Sequence, residues 1–151
     1  MRRKGLLWII ILMAWVSSAS GQIGTVGLGV VLGNPTGISA VYWTGDHSAI
    51  QLNMGYLMAR EEHLLLSADF LVHPWIFYEE DDLIRPYVGL GGGLGFISDI
   101  SISLRLPLGT SYFFSAFPIE AFAELVPSLQ LMGPGDIRFY LGGYLGARWY
   151  F

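Results

Sequence analysis

The sequence predicts an all-β protein, an eight-stranded antiparallel up-and-down β-barrel that spans a membrane. Three observations predict this fold class. Hydrophobic residues make up 53% of the 151 residues and charged residues only 13%, so the chain is more apolar than an ordinary soluble domain. Beyond the first segment, apolar residues recur with a period of two, which is the period of strands. That part of the chain also lacks the run of about 18 apolar residues that a membrane helix needs.

The first segment, residues 1–21, has the order of a secretory signal peptide. Basic residues 2–4 are followed by the apolar run 6–16 and by the small residues 19–21. This order is typical of a signal that is cleaved on export. The apolar run is shorter than the roughly 20 residues that a membrane-spanning helix requires. We therefore expect cleavage, which leaves a barrel over residues 22–151.

The remaining chain divides into eight segments in which apolar residues alternate with polar or small ones. In the third segment Ile50 and Leu52 face one way, while Gln51 and Asn53 face the other. Such alternation predicts strands, and the Gly-, Pro- and Asp-rich stretches between them predict turns. Strands joined by short connections pair antiparallel, and a closed barrel of them has no edges. The predicted strands cover residues 26–32, 38–43, 49–56, 63–73, 87–95, 101–109, 119–130 and 139–151.

Two kinds of barrel fit this alternation. A soluble lipocalin-like barrel turns its apolar face inward around a lipophilic ligand, whereas a membrane barrel turns that face outward to lipid. Eight strands enclose room for about one set of side chains or one small ligand. The apolar face is too bulky for that space, and the glycine- and serine-rich face fits it. We therefore expect lipid outside, with the secreted ligand-binding barrel as the alternative.

The face predicted to point inward carries six charged residues. The strand and turn positions place Glu120 opposite Arg148 and bring Arg105 near Glu124. Because an unpaired charge in a narrow lumen costs several kcal/mol, we expect these groups to pair and to fill the barrel. A narrow, low-conductance pore along the same residues is the alternative within the membrane class. The predicted lumen charge network consists of Asp69, Arg105, Glu120, Glu124, Arg138 and Arg148.

The sequence gives no support for several classes of function. The absence of cysteine excludes thiolate zinc sites and cysteine nucleophiles. The glycine run 89–95 is not followed by the helix that a dinucleotide loop needs. His63, Ser67 and His73 extend over about 33 Å of strand, which is too far for a catalytic triad.

We accordingly predict that the protein is not an enzyme and has no cofactor or metal site. The net charge of −4, without a basic stripe, gives no reason to expect nucleic acid as a partner. The acidic run Glu79 to Asp82 is predicted to be a solvated loop, with a calcium site as the alternative.

One stretch points to a family. Gly33 to Trp43, GNPTGISAVYW, resembles the G-E-P-T-G-[LI]-S-x-K-Y-W pattern of a family of small, largely uncharacterised bacterial outer-membrane proteins, which are similar to OmpA/OmpX-type eight-stranded barrels. Asn34 and Val41 stand where that family has glutamate and lysine. Residues 107–112 (PLGTSY) and 122–127 (FAELVP) are also similar to the same group. The resemblance implies a monomer among the lipids of the outer membrane of a Gram-negative bacterium, with a structural or interaction role and no catalytic residues.

The chain ends on aromatic residues. Alternation places Trp149 and Phe151 on the outward face, where a membrane barrel has an interfacial aromatic girdle. A terminal aromatic residue behind alternating apolar residues is similar to the assembly signal of outer-membrane barrels. The resemblance therefore implies the barrel-assembly machinery as a partner during biogenesis.

Overall fold

The computed structural model describes residues 24–57, 63–96, 99–133 and 137–151. The predicted signal peptide, residues 1–21, lies outside the described residues. Within these ranges no helix is long and apolar enough to cross a membrane. The strands are β1 (Val26–Gly33), β2 (Thr36–Gly45), β3 (Ser48–Leu57), β4 (His63–Val72), β5 (Phe77–Glu79), β6 (Asp82–Phe96), β7 (Ile100–Arg105), β8 (Leu108–Phe113), β9 (Ile119–Met132) and β10 (Arg138–Tyr150).

The strands form one antiparallel sheet that closes on itself. Consecutive strands pair from β1 to β4, and β4 then pairs with β6. The last strand, β10, pairs with β9 on one side and with β1 on the other, from Gly27 opposite Tyr150 to Gly33 opposite Tyr144. Because the first and last strands pair along their length, the barrel has no open seam.

Nine of the ten strands form the eight strand positions around the barrel that the sequence predicts, and we call each of these positions a stave. β7 and β8 are two halves of one stave, since both pair with β6 on one side and with β9 on the other. The interruption falls at Pro107, whose nitrogen carries no hydrogen to donate to the ladder. The additional strand, β5, is a short segment that pairs only with the beginning of β6. It lies in the stretch that was predicted to be a loop, and β6 begins at Asp82, before the predicted start at residue 87.

Side chains alternate between the two faces of the sheet as the sequence predicts. On β3, Gln51 is buried, whereas Leu52 is 51% exposed and Ile50 is 41% exposed. The outward face is apolar on all eight staves. The inward face is less polar than predicted, because Val41, Phe122 and other large apolar residues are also buried there. Glycines on neighbouring strands leave the space that these larger side chains occupy.

The two ends of the barrel differ. One end of the barrel carries residues 24 and 151 together with the connections after β2, β4 and β8, and we call it the terminal end. The other end carries the connections after β1, β3, β6 and β9, and we call it the opposite end. The acidic turn between β5 and β6 belongs to the terminal end.

Candidate functional site: a charged network inside the barrel

The first half of the network is an ion pair on the hairpin formed by β9 and β10. In the antiparallel register Arg148 lies directly opposite Glu120, and both side chains point inward. Arg148 Nη1 lies 3.1 Å from Glu120 Oε1 and 3.2 Å from Oε2. Both side chains are at most 2% exposed. This pair is therefore buried near the terminal end of the lumen.

Three further groups bind the Arg148 guanidinium. Its Nε and Nη2 donate to Ser39 Oγ at 3.0 and 2.9 Å. Nη2 also donates to Gln51 Oε1, and the guanidinium carbon lies 3.8 Å from the ring centroid of Phe122. Ser39 and Gln51 lie on β2 and β3, so one arginine connects the last strand to two strands that are not its neighbours. These contacts fix the side chain across the lumen.

Glu120 also has more than one partner. Ser111 donates its hydroxyl proton to Oε1, and the Tyr150 hydroxyl donates to Oε2 at 2.6 Å. The Tyr150 oxygen in turn accepts from Trp43 Nε1 at 3.1 Å. Since a buried carboxylate is stable only when its oxygens are paired or hydrogen-bonded, these donors complete the environment of Glu120.

The second ion pair joins β7 to β4. Arg105 Nε lies 3.1 Å from Asp69 Oδ1, and Arg105 Nη2 lies 3.3 Å from Oδ2. Arg105 Nη1 donates to the Tyr144 hydroxyl at 3.2 Å. The two strands are not neighbours, because β6 lies between them, with Gly91 opposite both Asp69 and Arg105. The glycine has no side chain there, so Arg105 reaches over β6 to the carboxylate.

The predicted pairing of Arg105 with Glu124 is therefore wrong. Arg105 lies opposite Ser128 on β9, not opposite Glu124. Glu124 instead accepts two neutral hydrogen bonds at Oε2, from Gln51 Nε2 at 2.9 Å and from the Tyr87 hydroxyl at 2.7 Å. Gln51 thus joins Glu124 to Arg148, and the first ion pair is part of a continuous hydrogen-bonded network.

The inclusion of Arg138 in the network is also wrong. Arg138 has the inward parity of β10, but it is the first residue of that strand and its side chain is exposed. It lies opposite Gln130, whose Oε1 accepts a hydrogen bond from the Tyr140 hydroxyl at 2.6 Å. At the strand end the barrel opens to solvent, so the inward parity of a residue there does not bury it.

Trp149 and Phe151, the predicted assembly signal, lie at the end of β10. Trp149 points outward and is 46% exposed. The backbone nitrogen of Phe151 donates to the carbonyl oxygen of Val26 at 3.0 Å. The last residue is thus joined to the first strand by a backbone hydrogen bond.

The terminal end of the lumen holds a basic and aromatic cluster that the sequence analysis missed. His73, which follows β4, is 1% exposed, and its ring lies 4.6 Å from Trp43 and 5.2 Å from Tyr87 between centroids. The Arg85 guanidinium lies 5.0 Å from the Trp43 ring. Burial, and then the nearby positive charges of Arg85 and Arg148, lower the pKa of His73 to about 4. His73 is thus neutral at physiological pH.

The network also includes neutral residues that were not predicted as site residues, namely Ser39, Gln51, Tyr87, Ser111, Tyr144 and Tyr150. Their inward parity could have indicated them, because each has a polar group at a lumen position. What parity could not indicate is which of them meet across the lumen.

Among the described residues, no group of three or more His, Asp or Glu side chains could hold a metal ion. The acidic turn, residues 79–82, has exposed side chains at Glu79, Glu80 and Asp81. Asp82 accepts hydrogen bonds from the Tyr112 hydroxyl and from the backbone nitrogen of Ser115. This last carboxylate joins the turn to β8 and to the connection after it.

Comparison with solved structures shows a similar fold. The structure is similar to the crystal structure of the N-terminal β-barrel domain of Pseudomonas aeruginosa OprF, with a TM-score of 0.59 and 18% sequence identity. The match covers 82% of this chain and 95% of that chain. No family model matches the sequence, and no curated protein matches it. The likeness confirms the predicted fold class, an all-β antiparallel barrel, while the family pattern in residues 33–43 stays a prediction.

Proposed function

We propose that the protein is a monomeric outer-membrane β-barrel with a structural or interaction role and without catalysis. The observation that carries this proposal is the outward face of the barrel. Large apolar residues there are widely exposed, including Leu32 at 63%, Leu141 at 65% and Leu145 at 65% on the paired strands β1 and β10. Soluble monomers rarely expose apolar patches beyond a few hundred Å². Lipid is the environment that such a surface requires.

The backbone supports the same proposal. In hydrocarbon every N–H and C=O group needs an internal partner, and only helices and closed barrels provide one along their whole length. Here β10 pairs with both of its neighbours, so the sheet is closed. The closed sheet therefore meets the condition for spanning a bilayer.

The interior supports a structural role over a ligand-binding one. Gln51 on β3 accepts a hydrogen bond from Arg148 on β10 and donates one to Glu124 on β9, so these side chains join non-neighbouring strands across the lumen. A lipocalin-like barrel would need an apolar cavity there, whereas these side chains form a charged network. The network holds the strands together from the inside, so we expect the interior to stabilise the barrel and the loops and outer wall to carry any interactions.

Membrane fractionation with heat modifiability tests the proposal. The folded barrel should be found in purified outer membranes and resist extraction with urea. It should also migrate faster on a denaturing gel before boiling than after it. A protein recovered from the soluble periplasmic fraction, with the same migration before and after boiling, would overturn the proposal in favour of the secreted barrel.

A further inference from the structure

Glu124 lies in an unusual environment for a buried carboxylate. Its side chain is in the middle of the lumen and only 3% exposed. Oε2 accepts the hydrogen bonds from Gln51 and Tyr87, but Oε1 has no hydrogen-bond partner among the residues that the structure describes. A buried charge needs either an opposite charge or a metal ion beside it. Among the described residues, neither arginine of the network forms an ion pair with Glu124, whose connection to Arg148 runs through Gln51.

The charges of the network do not balance. Arg148 is committed to Glu120 and Arg105 to Asp69. Glu124 is the third carboxylate, so these five buried groups have a net charge of −1 when all of them are ionised. Arg85 does not compensate it, because its guanidinium points to the terminal end, where Nη1 donates to the Asp46 carbonyl at 3.3 Å. The unbalanced charge therefore lies on the Glu124 side of the network.

Two more oxygen atoms without partners face the same part of the lumen. In the described part of the chain, Asn53 Oδ1 and Ser67 Oγ are buried and have no hydrogen-bond partner. Asn53 and Ser67 lie opposite each other on β3 and β4, next to the Gln51–Asp69 pair. The three atoms without partners in this part of the lumen are oxygens, in a region that already holds two carboxylates. The other two such atoms among the described residues, His73 Nδ1 and Arg85 Nε, belong to the cluster at the terminal end.

We propose that the lumen binds one monovalent cation, of the sodium or potassium type, at Glu124 Oε1. Carboxylate, amide and hydroxyl oxygens suit hard cations, and acidic side chains in pores select cations over anions. One positive charge neutralises the network, whereas a divalent ion would leave it with an excess of +1. Between this region and the opposite end, β6 and β7 place only Gly93, Gly95, Ser101 and Ser103 on the inward face.

Thermal unfolding of the refolded full-length mature protein in detergent tests this site. The melting temperature should be higher in NaCl or KCl than in choline chloride at equal ionic strength, by about 3 °C or more, because an ion that binds only the folded state stabilises it. Glu124→Gln keeps the shape and removes the charge, so the difference between the salts should disappear. Asp81→Asn makes the same change of charge in the exposed acidic turn and should keep the difference.

Direct binding to the wild-type protein keeps the test independent of any variant. Thallous ion, a mimic of potassium, should show a broadened NMR line in the presence of folded protein, and added KCl should reverse the broadening. Equal melting temperatures in all salts together with no thallous binding would overturn the site, as would a salt difference that persists in Glu124→Gln. All samples are first shown to be folded by heat modifiability, so these outcomes are separate from failure of the proposed function.

Discussion

The Arg148–Glu120 pair shows how much one residue in the lumen depends on another. Glu120→Ala removes the carboxylate and leaves the buried Arg148 guanidinium without its opposite charge. We expect a loss of about 3–5 kcal/mol in the free energy of unfolding. Urea titration of the protein in detergent measures it. Glu79→Ala, in the exposed turn, is the control and should change this free energy by less than about 0.5 kcal/mol.

The double variant Glu120→Ala with Arg148→Ala should recover part of that loss, because no charge is then left unpaired. The two single losses and the double loss form a mutant cycle. Strictly additive losses would contradict the contact between the two side chains.

His73 makes the stability depend on pH. Its pKa is lowered to about 4 in the folded protein, by burial first and then by nearby positive charges. In the unfolded chain the pKa of His73 is near 6.5. Between pH 6.5 and 4 the unfolded state therefore binds a proton at this residue, whereas the folded state does not. The free energy of unfolding should therefore fall on acidification through this window, by up to about 3 kcal/mol from this group.

His73→Gln removes this titration and serves as the comparison for the pH dependence. Urea titrations at pH 7.5 and pH 4.5 should show a smaller fall for the variant than for the wild-type protein. Other groups titrate in both proteins and contribute equally to the two slopes. An identical fall in both would show that His73 becomes protonated without cost in the folded state.

What the sequence could predict at this scale depends on the distance between the partners along the chain. Glu120 and Arg148 belong to one hairpin, so strand alternation and the turn position were enough to align them. Asp69 and Arg105 belong to strands separated by β6. Their pairing depends on Gly91, which lets a long side chain cross a neighbouring strand, and alternation carries no information about such a crossing.

Among the elements, β6 shows why one glycine is needed and its neighbour is not. A Cβ atom at Gly91 would lie 2.1 Å from Asp69 Oδ1 and 2.3 Å from the Ala68 carbonyl oxygen. The backbone oxygen cannot move without shifting β4. At Gly92, which points outward, the nearest atom would be the Ser103 carbonyl oxygen at 3.7 Å, an ordinary contact.

Gly91→Ala should therefore lower the free energy of unfolding by about 1–3 kcal/mol, the usual cost of forcing an extra group into a packed interior. Gly92→Ala adds the same methyl group one residue away and should change it by less than about 0.5 kcal/mol. Urea titration of both variants in detergent measures the difference. Equal losses in the free energy of unfolding for the two variants would contradict this close packing, because β4 and β6 could then separate without a cost in free energy.

The stave formed by β7 and β8 is an element whose division into two strands could not be predicted from the sequence. Alternation continues from Arg105 through Pro107 to Gly109, so the pattern predicted one strand. Pro107 cannot donate a backbone hydrogen bond, and the pairing is divided there. The Pro107 carbonyl still accepts from Gly89 at 2.7 Å, and Leu106 donates to Pro127 at 2.9 Å. The stave thus keeps its position in the barrel despite the interruption.

At the scale of the whole molecule, the fold was predictable because one face of every stave had to meet the same environment. Outward Leu52 and Leu145 and inward Gln51 and Arg148 follow from parity alone, and the antiparallel pairing of consecutive strands follows from the short connections. The arrangement inside the barrel was less predictable, since it depends on contacts across the lumen. Apolar residues such as Phe122 occupy lumen positions for reasons of volume, which alternation does not express.

Assembly of the whole barrel in cells can be separated from its intrinsic stability at Phe151. The residue closes the end of β10 through one backbone hydrogen bond to Val26, which Phe151→Ala retains. The lost ring is worth at most about 1.5–3 kcal/mol, which the closed sheet can tolerate. We therefore expect Phe151→Ala to refold in detergent nearly as well as the wild-type protein. If the terminal aromatic residue is read by the assembly machinery, the amount of this variant in the outer membrane should fall sharply.

Phe139→Ala is the matched control for this prediction. Phe139 lies on the same outward face of β10, at its other end, and is 68% exposed. Phe139 has the same ring but is not the terminal residue. Phe139→Ala should therefore leave the amount of protein in the outer membrane near the wild-type level. Equal accumulation of both variants would refute a targeting role of Phe151. Failure of Phe151→Ala in detergent as well as in cells would instead show that the ring is needed for the fold itself, since detergent contains no machinery to read it.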